Sequence, residues 1–102
     1  MSASVSIIIP TLNEAQYLAQ TVRQLTLLDP LVTEVIVVDG GSRDETVAIA
    51  KSLVDSLAPI PLTLLHTDQP GRARQMNLGA AHAKGDLLCF LHADTLVPPD
   101  LV

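Results

Sequence analysis

Val35-Ile36-Val37-Val38-Asp39-Gly40-Gly41-Ser42-Arg43-Asp44-Glu45 reads as a strand, a turn and the start of a helix, in that order. The run Val35 to Val38 is β-branched and apolar, too short for a helix, and reads as a strand buried on both faces. Gly40-Gly41 ends it. Ser42-x-x-Glu45 has the form of a capping box, in which hydroxyl and carboxylate satisfy the open N–H groups of a helix start. Val47, Ala50, Val54 and Leu57 then recur at steps of three, four and three, a helical spacing. A buried strand followed at once by a helix is the unit of a parallel sheet, because parallel neighbours need a crossover between them.

The same unit repeats on either side. Val5 to Ile9, Leu62 to Leu65 and Leu87 to Leu91 are three further short apolar runs. Leu18, Val22 and Leu25 follow the first at helical steps, behind Asn13 as expected N-cap with Gln16 completing a capping box. Ala73, Met76, Ala80 and Ala83 form a smaller-residue helix that Gly85 closes. Asn77 shares a face with Ala73 and Ala80 and is expected to look inward. The alternation β-α-β-α-β-α-β predicts an α/β fold: an open, mainly parallel, Rossmann-like sheet with helices on both faces. Residues 1–102 read as one unit without linker or repeat. The sequence stops at Pro98-Pro99-Asp100-Leu101-Val102, just past the fourth run, so the expectation is the front half of a larger fold.

Composition narrows the function classes. With 6 basic and 11 acidic residues the net charge is −5, which argues against a nucleic-acid partner held by many phosphate contacts. Tyr17 and Phe90 are too few aromatics for a base-stacking platform. Cys89 is alone, so no intrachain disulfide forms, and a reducing, cytoplasmic location is expected. The start lacks the basic segment and length of a signal peptide, and no apolar stretch approaches the ~20 residues that span a bilayer.

Ligands of open α/β sheets bind beyond the carboxyl ends of the strands, and the polar residues gather there. Pro10, Thr11, Asn13 and Glu14 follow the first strand, Asp39 to Ser42 the second, His66 and Asp68 the third, and His92-Ala93-Asp94 the fourth. Asp39 before Gly-Gly also suits a turn that caps its own backbone, and His66 and His82 read as surface residues. His92 and Asp94 are two apart beyond a strand, so both side chains can point to one side. A carboxylate there suits Mg²⁺ or Mn²⁺, and an adjacent imidazole favours Mn²⁺. Arg72 and Arg74 stand at the start of the third helix, where cations oppose the helix dipole unless an anion lies between them. A diphosphate meets that condition; plain solvation is the other reading.

Four stretches together resemble the nucleotide-binding half of the family-2 glycosyltransferases of GT-A fold: Ile7 to Glu14, Val37 to Asp44, Gly71 to Gly79, and Leu91 to Thr95. The resemblance implies a nucleotide-diphosphate-sugar donor. It lays the Pro10, Thr11 and Glu14 turn against the nucleoside and gives Asp39 the base. The family's Asp-x-Asp signature, which grips ribose and metal-bound diphosphate, reads His92-Ala93-Asp94 here, a form similar to a His-Ala-Asp subgroup. Asp94 matches the last position and inherits the divalent metal (Mn or Mg); His92 departs from the pattern and is a candidate second ligand. The family's Ala-Arg-Asn-x-Gly pattern reads Gln75-Met76-Asn77-Leu78-Gly79. Asn77 and Gly79 match, and Arg72 or Arg74 stands in for the arginine replaced by Met76.

The resemblance further implies metal-assisted, inverting transfer of a sugar to an acceptor hydroxyl. The general base and acceptor site are expected from a second half, so this chain is expected to bind the donor only. Dinucleotide-dependent oxidoreductases and P-loop nucleotidases are excluded, since neither G-x-G-x-x-G nor G-K-[ST] occurs. The alternative is a non-catalytic structural or regulatory α/β module. In either case a homodimer is plausible through surface left exposed by truncation.

Overall fold

The computed structural model describes residues 4–25, 32–68 and 71–92. Its elements run β1 (Val5–Thr11), α1 (Leu18–Gln24), β2 (Glu34–Asp39), α2 (Thr46–Leu57), β3 (Leu62–His66), α3 (Arg72–His82) and β4 (Leu87–Phe90). The strands form one parallel sheet in the order β3-β2-β1-β4, the α/β architecture expected from the alternation.

Strand pleating divides the core into two layers. Val5, Ile7 and Ile9 of β1 share one face with Val35 and Val37 of β2, under Leu18 and Val22 from α1, Leu25 just after it, and Ala50, Leu53 and Leu57 from α2. Ile8, Ile36 and Val38 form the other face, under α3 through Leu78 and Ala80. The pairing Ile7↔Val35, Ile8↔Ile36 and Ile9↔Val37 keeps both layers in register. Each such side chain, fully buried, contributes about 1.5–3 kcal/mol of transfer free energy. The second layer is thin, and α3 lies close to the sheet: a Cβ on Gly79 would stand 2.5 Å from Ile8 Cγ2. Only glycine permits that approach.

Several local expectations are corrected. β1 and β2 are buried throughout, but β3 and β4, the sheet edges among the described residues, are not. Leu87, Leu88 and Phe90 are 54%, 43% and 42% exposed. Neither predicted capping box forms: α1 begins at Leu18 and α2 at Thr46, both without a side-chain cap. Asn13 instead takes φ 56°, a left-handed conformation that asparagine tolerates, and Ser42 turns back towards Asp39. Val54 is exposed, and α2 buries Ala50, Leu53 and Leu57. Asn77 is exposed as well; α3 buries Gln75 and Gly79. Alanines carry little hydrophobic weight, so the close approach at Gly79 decides the inward face.

A carboxylate ties down the opposite, amino-terminal edge. Glu34 Oε2 accepts hydrogen bonds from Ser6 Oγ and Lys84 N, both at 2.6 Å. Gly85 N donates to Ser6 Oγ at 2.8 Å, which fixes the entry into β4.

Candidate donor site

The strand order reverses at β1, since β2 and β3 lie on one side of it and β4 on the other. Such a switch point leaves a crevice at the carboxyl ends of the strands. A cavity of about 240 Å³ opens there, lined by Pro10, Thr11, Leu12, Glu14, Gly71, Arg72 and Gln75. A larger one, about 310 Å³, lies at the other end of the sheet between Glu34, Thr63, His82 and Lys84. The smaller cavity is the better candidate: the fold opens it at the switch point, and several residues singled out from sequence converge on it.

Asp39 anchors the neighbouring rim. It ends β2, is 1% exposed, and accepts four hydrogen bonds. Thr11 Oγ1 and Ser42 Oγ donate to Oδ1 at 2.8 and 2.5 Å, and the N–H groups of Gly41 and Ser42 donate to Oδ2 at 3.0 and 2.8 Å. Burial alone would raise its pKa, but the bonds from Ser42, Thr11 and Gly41 outweigh it and hold the carboxyl below the ordinary aspartate value. Asp39 is therefore an ionised turn-former. His66 Nδ1 stands 4.0 Å from its Oδ2, with His66 Nε2 3.9 Å from Asp68.

The loops after β1 and β2 lock together. Asn13 N donates to Ser42 Oγ, and Arg43 N to Asn13 Oδ1, each at 2.8 Å. Glu14 N donates to Thr46 Oγ1 at 2.8 Å, and Ala15 N to Asp44 Oδ2 at 3.2 Å. Hydrogen bonds from the Thr46 hydroxyl and N–H hold the Asp44 carboxyl below its usual value. Asn13 and Ser42 thus serve a loop–loop junction where the sequence suggested helix caps.

Arg72, at the first turn of α3, reaches across the crevice so that its Nη1 lies 3.4 Å from His92 Nε2. Arg74 is exposed on the same turn without lining the cavity, and Asn77 is exposed further along α3. Pro10, Thr11, Glu14 and Arg72 are thus brought together, with Asp39 behind Thr11 and His92 beside Arg72. Arg74 and Asn77 stand apart. Ala93 and Asp94 lie outside the described residues. No group of three His, Cys, Asp or Glu side chains that could hold a metal occurs among the described residues. His92 Nε2 already faces a guanidinium, so the described residues by themselves do not fit a divalent ion.

Gln75 is the residue that sequence reasoning missed. It is 4% exposed and its Nε2 donates to the carbonyls of Thr11 and Val38, at 2.9 and 2.8 Å. Its Oε1 accepts from Gly71 N at 3.2 Å. A neutral amide in a polar helix turn has no sequence signal separating it from a surface glutamine.

Residues 6–102 match the sequence profile of the family described as Glycosyl transferase family 2. The chain belongs to glycosyltransferase family 2. Among curated relatives, glucosyl-3-phosphoglycerate synthase of Mycolicibacterium smegmatis is 35% identical over 102 residues, 95% of this chain and 32% of that protein. Among solved family-2 structures, the mannosyltransferase PcManGT of Pyrobaculum calidifontis, in complex with GDP-Man and Mn²⁺, superposes with a TM-score of 0.86 at 29% identity. It covers 96% of this chain and 29% of that one. S. aureus TarS 1-349 in complex with UDP-GlcNAc gives 0.75 at 26%, covering 89% of this chain and 26% of that one. The chain spans about a third of the length of the curated relatives it matches. Among the described residues, no helix is long and apolar enough to cross a membrane.

Proposed function

We propose that this chain is the donor-binding part of a glycosyltransferase that moves a sugar from a nucleoside diphosphate to an acceptor hydroxyl. The observation that carries the reading is the convergence of Pro10, Thr11, Glu14 and Arg72 on one cavity at the sheet's switch point, in a member of a glycosyltransferase family. The GDP-Man and UDP-GlcNAc complexes of PcManGT and TarS support a nucleotide-sugar donor.

In this reading the nucleoside lies against Pro10 to Glu14, near Asp39. The Asp39 carboxylate is already full, so it acts first by holding the Gly40–Ser42 turn that frames the base. A base that bonds to it directly displaces the Gly41 N–H, the longest of its four bonds. Arg72 faces the diphosphate, where a fixed cation stabilises the charge that develops on the leaving phosphate as the anomeric bond breaks. His92 holds that guanidinium from the far side; Arg74 and Asn77 are assigned to the outer end of the donor. The acceptor hydroxyl attacks from the opposite face, with inversion, and gives its proton to a base outside this chain.

Asp94 is the proposed ligand for a divalent ion, a reading supported by the Mn²⁺ of PcManGT. Bound there, the ion would act as a Lewis acid on phosphate oxygens. A cytoplasmic setting accords with the lone Cys89, which is a free thiol.

Calorimetric titration with UDP, GDP and dTDP, each with and without Mn²⁺, tests the reading on wild type and Asp94→Ala. Binding of one nucleotide supports it, and metal dependence lost in Asp94→Ala supports the ligand assignment. A folded chain that binds none refutes it. The exposed Leu87, Leu88 and Phe90 of β4 favour the second reading, a self-associating module without nucleotide affinity, which sedimentation equilibrium of the same samples distinguishes.

A further inference from the structure

Gln75 joins three backbone segments at once. Its amide binds the last residue of β1 through Thr11 O, the end of β2 through Val38 O, and the entry to α3 through Gly71 N. Gly40 packs against it: a Cβ at position 40 would stand 3.1 Å from three atoms of the amide group. The amide is spent on backbone, since Nε2 uses two donors on two carbonyls and Oε1 accepts one N–H.

We infer that Gln75 is a positioning residue for the donor site, setting the distance between its nucleoside side and its diphosphate side. The inference rests on the donor-site reading above. Thr11 and Val38 belong to strands that end at the nucleoside rim, where Val38 immediately precedes Asp39. Gly71 and Arg72 begin the helix that presents the guanidinium. Within the second core layer α3 meets the sheet through the close approach at Gly79 and the apolar contacts of Leu78 and Ala80, none of which fixes its polar entry. The amide ties the α3 entry to the ends of β1 and β2. Arg72 depends on that registration more than the nucleoside rim does, because the rim has its own bonds through Asp39, Asn13 and Ser42.

Glutamine suits the task better than its relatives. Glutamate would aim a carboxylate at two carbonyl oxygens. Asparagine is one methylene short, and methionine fills the volume but makes none of the three bonds.

The test is the affinity of the full chain for UDP, GDP and dTDP and, for the one that binds, for its parent nucleoside by competition, in wild type and Gln75→Met. The expected result is about a tenfold or greater loss for the diphosphate, the equivalent of one charge-assisted hydrogen bond, with the nucleoside changed less than about twofold. In wild type, the Gln75 side-chain amide protons exchange at least about tenfold more slowly than those of exposed Gln20. Diphosphate and nucleoside affinities that fall in parallel, or stay unchanged in a folded variant, overturn the inference and leave the donor-site reading standing. Gln75 protons that exchange as fast as those of Gln20 overturn it on structure alone, even if Gln75→Met fails to fold. No binding of any nucleotide by wild type overturns the donor-site reading, and the inference with it.

Discussion

Replacing Asp39 by asparagine keeps the shape of the side chain and removes its charge. In the wild type each oxygen takes two donors, hydroxyls at Oδ1 and backbone N–H groups at Oδ2. The amide has one arrangement that keeps most of this: its oxygen turns to the Gly41 and Ser42 N–H groups and its NH₂ to the hydroxyls of Thr11 and Ser42. Hydroxyls can accept, so no donor clash results. Two costs remain. The backbone bonds lose charge assistance, and the hydroxyl protons of Thr11 and Ser42 lose Oδ1 as their acceptor, because an amide NH₂ only donates. With bonds to charged groups contributing about 1.5–3 kcal/mol and neutral ones about 1, the loss is about 2–3 kcal/mol at neutral pH.

The pH dependence gives the stricter check. The folded Asp39 pKa is depressed, so its stabilisation is present above the unfolded value of about 3.9 and is lost as pH falls through the folded one. Urea denaturation of wild type and Asp39→Asn, followed by circular dichroism at pH 7, 5 and 3, should give a gap that shrinks at pH 3. The other carboxylates titrate in both proteins and cancel. A gap that stays constant from pH 7 to 3, or an asparagine variant as stable as wild type at pH 7, refutes the account of the turn.

Gly79→Ala should lower stability by about 1–2 kcal/mol in urea denaturation, because overpacking against Ile8 on a fully buried strand exceeds the ~1 kcal/mol gain in helix propensity. Arg72→Ala should weaken nucleoside-diphosphate binding about tenfold by calorimetry at low salt, with a smaller difference at high ionic strength. Phe90→Ser should abolish any self-association seen by sedimentation equilibrium and leave nucleotide affinity unchanged, because β4 displays Phe90 to solvent, away from the cavity lining.

Much of the fold was legible because burial is written in residue type. Ile7 to Ile9 and Val35 to Val38 can only be inner strands, and helical spacing between short apolar runs leaves a parallel sheet as the simplest arrangement. The gathering of Pro10, Thr11, Asp39 and His92 at the carboxyl ends followed from the same order, since parallel strands send every following loop to one edge. What sequence could not supply was partnership. Asn13 and Ser42 were read as caps for the nearest helix, because local hydrogen bonding is all that spacing reports; the fold gave them partners about thirty residues away. The inward face of α3 was likewise misread, since Gly79 carries no hydrophobic signal and is chosen by the space left over Ile8. Gln75 shows the division plainly. Its identity is fixed in the chain, but its three bonds join segments far apart in sequence, and only the closing of β1, β2 and α3 around one point makes a polar surface residue into a buried tie.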